Sequence, residues 1–134
     1  MIKVSFKLEG ARELSKNLST LSKRLGQGVE KGIIEAGAFL KEESNKVAPV
    51  EIGNLIDESF STASPKAGMD TVVYVGYGPP GSVSEHYAVP QHEFPELKRK
   101  KKAGRQWKYL EEPFRRNSKT MVKMVQKSAA DAIK

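Results

Sequence analysis

The stretch VAPVEIGNLIDESF, from Val47 to Phe60, decides how the middle of the chain folds. It follows a long run with helical periodicity, and Pro49 ends that run because the residue before a proline is pushed out of the α region. Gly53 permits a turn that a side chain would obstruct, and Leu55 returns the chain to the core. We therefore predict a structural junction between a helix and extended segments, with no reactive group in it.

Two patterns precede this junction. Apolar and polar residues alternate from Ile2 to Leu8, which predicts a half-buried strand. From Ala11 the period becomes helical, so we predict that a long helix follows and reaches about Lys46. The apolar stripe of this helix consists of Leu14, Leu18, Leu21, Leu25, Val29, Ile33, Ala36, Leu40 and Val47.

The first part of this stripe has two readings. Its leucines are spaced 4-3-4, which is typical of a short coiled-coil seam, although a helix lying on a sheet gives the same pattern. Each glycine in a helix costs about 1 kcal/mol relative to alanine. We therefore expect a break or kink near Gly26–Gly28, and at Gly37 the close approach of a neighbouring segment.

Extended segments and a last helix follow the junction. DESFSTAS (57–64) and the Val- and Tyr-rich MDTVVYVGYG (69–78) predict strands, and GPPGS predicts a turn or an exposed loop. EHYAVPQHEF (85–94) predicts another strand, which Pro90 places at a sheet edge or a bulge. A C-terminal helix begins at EEP (111–113) and carries an apolar side. This side consists of Phe114, Met121, Val122, Val125, Ala129 and Ile133.

The order of these elements predicts an α+β fold. A mainly antiparallel sheet packs against a long N-terminal helix, kinked near its glycines, and against the C-terminal helix. The chain has 134 residues, of which 38% are hydrophobic, and this suits one domain. We predict a single domain over 1–134 with a basic loop or arm at about 95–108.

No pattern of catalytic or metal-binding residues is recognisable. The chain has no cysteine, and its two histidines are His86 and His92, which on a regular strand would lie roughly 20 Å apart. Neighbouring acidic residues such as Glu42 and Glu43 splay apart in regular structure, unlike the facing carboxylates of a glycosidase. We therefore predict that the protein is not an enzyme, and that it uses no cofactor, no metal ion and no membrane.

The positive charge is concentrated in the last third of the chain. Residues 97–134 contain 13 lysines and arginines against 3 acidic residues, a formal charge of +10, whereas residues 1–96 carry −3. A flexible cationic segment can contact phosphates without reading sequence, although a solvated basic face has the same composition. The candidate DNA-facing residues are Lys98, Arg99, Lys100, Lys101, Lys102 and Arg105.

The junction, the Val-rich strand and the start of the last helix together resemble a known family. APVEIGNLIDES follows an Ala-Pro-Val-Asp-Thr-Gly-x-Leu-x-x-Ser pattern with one extra residue, and Glu51 and Ile52 replace the usual Asp and Thr. A Tyr-Ala…Glu-Phe element and YLEEPF come later in the same order. The whole arrangement is similar to the neck and tail-component proteins of long-tailed bacteriophages, which act in head–tail joining and tail completion.

The resemblance implies a virion structural protein of a tailed phage or prophage. Such a subunit would form part of the head–tail connector or neck, or of a tail-completion ring, as a ring of six copies. Its partners would be further copies, the neighbouring head-closure and tail-tube or tail-terminator proteins, and packaged DNA. It would be assembled in the host bacterial cytoplasm and located in the virion. The matching structural residues are Pro49, Gly53, Leu55, Ser59, Tyr87 and Glu93.

A second class of function stays open at this point. The basic arm, residues 98–108, could be the whole function of a free nucleic-acid-binding protein that does not read sequence. Oligomeric state distinguishes the two, because a neck subunit assembles or co-purifies with connector proteins, whereas a free binder shifts DNA as a monomer.

Overall fold

The structure is a computed structural model, which describes residues 11–49, 54–64, 68–93 and 108–134. It confirms the predicted α+β class, with a long N-terminal helix, a C-terminal helix and a small antiparallel sheet. The predicted strand at 2–8, Gly53 and most of the basic arm lie outside the described residues. The elements are α1 (Ala11–Val47), α2 (Asn54–Asp57), β1 (Phe60–Ala63), β2 (Val73–Gly76), α3 (Ala88–Glu93) and α4 (Glu111–Ala132), with 3₁₀ turns at Gly68–Asp70 and Val83–His86.

The helix α1 is continuous, so the predicted break near Gly26–Gly28 is wrong. Gly28 and Gly32 instead let α4 lie close against α1 in the antiparallel direction. A Cβ atom on Gly28 would lie 2.6 Å from the Cβ of Ala132, and one on Gly32 would lie 2.8 Å from the Cα of Val125. Packing against α4 therefore outweighs the low helix propensity of these glycines.

The hairpin of β1 and β2 packs on the next part of α1. The strands are antiparallel, with Phe60 opposite Gly76 and Ala63 opposite Val73. A Cβ atom on Gly37 would collide with the Val73 side chain. The close approach predicted at Gly37 is thus confirmed, and both strands lie within the segments that the sequence predicts.

Residues 85–93 do not form the strand that the sequence predicts over 85–94. A 3₁₀ turn at Val83–His86 leads directly into α3 at Ala88–Glu93. Pro90 lies in the first turn of α3, where a missing N–H costs no helical hydrogen bond. The apolar–polar alternation here is too short to exclude a helix, and His86 and His92 consequently lie on two different elements.

The buried apolar cluster is small and lies at the C-terminal end of α1. It consists of Ala48, Leu55, Ala88 and Tyr109, with Val47, Ile56, Tyr77 and Tyr87 packed against it. These residues come from four segments that are distant in sequence. The core therefore joins the end of α1 to α2, to the segment around α3 and to the start of α4.

The close contact of α1 with α4 predicts opposite effects of the same substitution at two glycines. Gly32→Ala should destabilise the protein by about 1–3 kcal/mol, because the new methyl group would overlap the backbone of α4. Gly26→Ala should stabilise it by up to about 1 kcal/mol, because a Cβ atom there meets Gly68 at an ordinary 3.6 Å.

Chemical denaturation of both variants beside the unchanged chain measures these effects. Equal stabilisation by the two alanines would show that α4 does not press on α1 at Gly32.

Candidate subunit interface

A buried group of hydroxyls anchors the end of α1. The Oγ of Ser44 donates a hydrogen bond to the backbone oxygen of Tyr109 at 2.5 Å and lies 2.6 Å from the hydroxyl of Tyr77. The Tyr77 hydroxyl donates to Oδ1 of Asn45 at 2.6 Å. Ser44 is fully buried, so these bonds fix α1 to the segment after β2 and to the start of α4.

The predicted junction motif closes the other side of this group. Nδ2 of Asn45 donates to Oγ of Ser59 at 3.0 Å, and Ser59 donates to the backbone oxygen of Ile56 at 2.7 Å. Pro49 and Leu55 are both buried. The described residues of the motif, Pro49, Leu55 and Ser59, therefore pack against the end of α1.

Tyr87 and Glu58 hold the 3₁₀ turn that precedes α3. The Glu58 carboxylate accepts hydrogen bonds from the backbone N–H of Val83 at 3.0 Å and of Ser84 at 2.7 Å. The Ser84 hydroxyl and these N–H groups lower the pKa of Glu58. Burial, with a smaller contribution from the Glu58 charge, raises the pKa of Tyr87, whose ring packs against the apolar cluster.

Glu93, the last residue that the sequence motif singles out, ties α3 to the start of α4. Its carboxylate lies 2.6 Å from Nζ of Lys108 and 2.6 Å from Nδ1 of His92. Lys108 also contacts Glu111 at 3.0 Å. The Lys108 ammonium, and then His92, lower the pKa of Glu93. These contacts hold Lys108 at φ 55°, a conformation that is uncommon for residues other than glycine.

Tyr109 is the central residue of the junction. Its hydroxyl donates to the backbone oxygen of Ala88 at 2.6 Å. Its ring meets those of Tyr77 and His92 edge to face, with centroids 4.8 and 5.0 Å apart. A tyrosine just before EEP is compatible with such an anchor, but its hydrogen-bond partners are 21 and 65 residues away in sequence.

Neither a metal-binding cluster nor a membrane-spanning helix occurs among the described residues. Across 11–49, 54–64, 68–93 and 108–134, no group of three or more His, Asp or Glu side chains could hold a metal ion. No helix in the same ranges is long and apolar enough to cross a membrane. Nε2 of His92 accepts the backbone N–H of Glu111 at 3.3 Å, so this histidine is engaged in holding the junction.

Beside the junction lies an open apolar groove of about 770 Å³. Its floor is α1, its two walls are β2 and α4, and one end is closed by the start of α4. Phe114 and Val122 on α4 are 50% and 55% exposed, so the predicted apolar side of α4 is only partly covered. The main lining residues are Ile33, Ala36, Gly37, Leu40, Val73, Val75, Leu110, Phe114, Met121, Val122 and Val125.

The leucine seam of α1, defined as Leu14, Leu18 and Leu21, is a second uncovered apolar surface. Leu14 and Leu18 are 60% and 56% exposed. The same 4-3-4 spacing continues through Leu25 to Gly28 and Gly32, where α4 lies against α1. The seam is therefore the continuation of the α4-binding face beyond the end of α4.

The positive charge of the C-terminal part has a component that sequence reasoning missed. The six candidate DNA-facing residues, Lys98 to Lys102 and Arg105, lie outside the described residues. Arg115, Lys119, Lys123 and Lys127 recur at every fourth position of α4, and all four are exposed. This spacing places them along one side of the helix. The i, i+4 recurrence was the available signal, which a simple charge count does not reveal.

The cluster of buried hydroxyls around Ser44 predicts that phenylalanine will affect stability differently at two tyrosines that are close in sequence. Tyr77→Phe should destabilise the protein by about 1–3 kcal/mol, because it removes the hydroxyl that donates to Oδ1 of Asn45 and that lies 2.6 Å from Oγ of Ser44. Tyr74→Phe should change stability by less than about 0.5 kcal/mol, because Tyr74 is exposed on the outer face of β2. Urea denaturation of both variants measures this contrast, and equal losses would contradict it.

The lowered pKa of Glu58 predicts a loss of stability in acid. Its ordinary value is 4.5, so its contribution is complete above that pH and disappears as the pH falls through the lower folded pKa. The melting temperatures of the unchanged chain and of Glu58→Gln should therefore differ at neutral pH and approach each other as the pH falls below 4.5.

Glu42→Gln, at an exposed position of α1, is the control for the loss of one negative charge. A difference between Glu58→Gln and the unchanged chain that stays constant down to the acid transition would contradict the assignment.

Comparisons with known proteins gave no match. A scan against protein-family models, a search of curated proteins and a search of solved structures were each negative. The resemblance to phage neck and tail-component proteins therefore stays a prediction from the sequence.

Proposed function

We propose that this chain is a structural subunit of a tailed bacteriophage or prophage particle, part of the ring at the head–tail connection or of a tail-completion ring. The resemblance of the junction motif to that family supplies the class. The observation that carries the proposal is the amount of apolar surface left open in the groove and on the leucine seam. Exposed apolar patches of this kind mark contact surfaces for other proteins.

The junction supports this role in a second way. The motif residues Leu55, Ser59 and Glu93 hold helices together instead of presenting reactive groups to solvent. Their contacts fix the direction of α1 relative to α4 and leave the long faces of both helices for neighbours. A subunit of a ring needs such a fixed shape, because each contact must repeat at the same angle for the ring to close.

The location of the protein in assembled particles tests this proposal. We expect antibody labelling or electron cryomicroscopy of purified particles to place the chain at the joint between head and tail, in several copies. Particles that contain the chain elsewhere, or that lack it entirely, would refute the proposal.

The basic surfaces suit a subunit that borders a DNA channel. Diffuse positive charge lets DNA slide, whereas specific base contacts would hold it in place. We propose that residues Lys98–Lys102 of the basic arm face the DNA. The exposed row Lys119, Lys123 and Lys127 on α4 adds to the positive charge on this side. The rival reading, a free DNA-binding protein, would need the same surfaces but no assembly.

Charge-removal variants measure which surface contacts DNA. Serine at the five positions Lys98–Lys102 should weaken DNA binding and reduce the slope of log affinity against log salt by about 0.9 for each lost phosphate contact. Glutamine at Lys119, Lys123 and Lys127 should have a smaller effect of the same kind.

A matched control removes three charges from α1, by glutamine at Lys16, Lys23 and Lys31. If the control weakens binding as much as the α4 variant, only the net charge matters. If particles built with the arm variant retain DNA unchanged, the channel proposal is wrong. DNA binding by a chain that stays monomeric and does not associate with particle proteins would favour the free binder.

A further inference from the structure

The outer edge of β2 carries unused backbone hydrogen-bonding groups. The backbone N–H of Ser64 donates to the oxygen of Val72 at 2.7 Å, which makes this pair, and every second pair after it along the register, hydrogen-bonded. The N–H and C=O groups of Val73 and Val75 therefore point away from β1. Within the described residues, none of these four groups takes part in a hydrogen bond.

This free edge faces the apolar groove. Val73 and Val75 line the groove, whereas no residue of β1 does. The side chains of these two valines point toward α1, as the contact between Val73 and Gly37 shows. An occupant of the groove thus meets a row of strand donors and acceptors on one side and an apolar floor below. Such a combination fits an extended segment with apolar residues at alternate positions.

We propose that the groove receives residues 2–8 of a neighbouring copy of this chain, which add a third strand to the edge of β2. In this segment Ile2, Val4, Phe6 and Leu8 share one face, and the intervening Lys3, Ser5 and Lys7 share the other. The apolar face covers the groove floor, and the lysines point to solvent. The added strand also extends a two-stranded hairpin, which by itself is only marginally stable.

The same segment of the same molecule is too short to fill this site. It joins α1 at Ala11, and Gly37 at the level of Val73 lies about 39 Å further along the helix. Val4 stands seven residues before Ala11 and so reaches at most about 25 Å. Only Ile2 approaches the near end of the groove. The contact with β2 is therefore made between molecules.

Other occupants fit the groove less well. A helix from a second copy would cover the apolar floor but would leave the edge groups of Val73 and Val75 unpaired and buried, which is costly. The basic run Lys98–Lys102 follows the groove residue His92 by six positions in sequence, but burying five cations on apolar side chains is unfavourable. An alternating segment satisfies both the edge and the floor.

The strand exchange rests on the proposed function, because it describes how one subunit of the ring binds the next. Each copy would donate its first strand to one neighbour and accept a strand from the other. Such a head-to-tail contact generates a closed ring when the rotation between copies closes.

Cysteine crosslinking tests the proposal, since the chain contains no cysteine of its own. One preparation carries Val4→Cys, and the other, labelled with ¹⁵N, carries Val75→Cys. The two are mixed at the highest soluble concentration and treated with a short bismaleimide. We expect crosslinked dimers with one labelled and one unlabelled chain, several-fold more abundant than with Lys119→Cys as the acceptor. Adding Phe6→Asp to the Val4→Cys chain should reduce the yield to that of this control.

A yield no greater than that of the Lys119→Cys control would overturn the proposal. A crosslink formed mainly within one molecule, in a dilute chain carrying both Val4→Cys and Val75→Cys, would also overturn it. These results are independent of the proposed function. Failure of the crosslink with the chain still located at the particle neck would reject only the strand exchange. A positive crosslink with the chain absent from particles would reject only the role in the neck.

Discussion

The buried hydroxyl of Ser44 is the contact on which the body of the molecule depends. It joins α1 to Tyr109 at the start of α4, and through Tyr77 it reaches the segment after β2. The apolar cluster around these residues is small, so the hydrogen bonds of Ser44 are important for fixing the positions of the three segments. Because a buried hydroxyl without a partner is costly, the position of each of the three segments depends on the positions of the other two.

The glycines of α1 show a second constraint, the close packing of neighbouring elements on this helix, which favours glycine where helix propensity disfavours it. Gly28 and Gly32 weaken an isolated helix, yet they remove the side chains that would keep α4 at a distance. Gly37 does the same for Val73. The long helix therefore serves as a common support, with α4 against one part of it and the hairpin against another. The groove is the space that these two neighbours leave between them.

Much of the fold could be predicted from local patterns, but the contacts between distant segments could not. The Val- and Tyr-rich run at β2, the proline after α1 and the EEP start of α4 each carry a strong local signal. The segment around Pro90 misled the prediction because a proline suits both a sheet edge and the first turn of a helix. The glycines near position 28 predicted a break or kink because local sequence shows only their low helix propensity. Their actual effect is to admit α4, which lies about a hundred residues away in sequence.

The candidate site was harder still to predict, because a sequence shows which residues are apolar and not how far they are covered. The apolar side of α4 could be recognised from its spacing, but not that Phe114 and Val122 on it are half-exposed. The leucine spacing on α1 was compatible with a helix partner and with a sheet, of which the sheet is the commoner case. Tyr109 could be assigned only once its bonds to Ala88 and Ser44 were seen.

The two ends of the molecule are therefore unequal in a way that suits assembly. At the C-terminal end of α1, Ser44 and Asn45 make buried and partly buried hydrogen bonds and the rings of Tyr77 and Tyr109 meet edge to face, so contacts within the chain hold this end in shape. Along the groove and the leucine seam, the same helices present apolar faces and a strand edge that the described residues do not cover. A stable end fixes the geometry, and an incomplete face supplies the driving force for association. A ring subunit of the kind proposed would bury these faces against its neighbours.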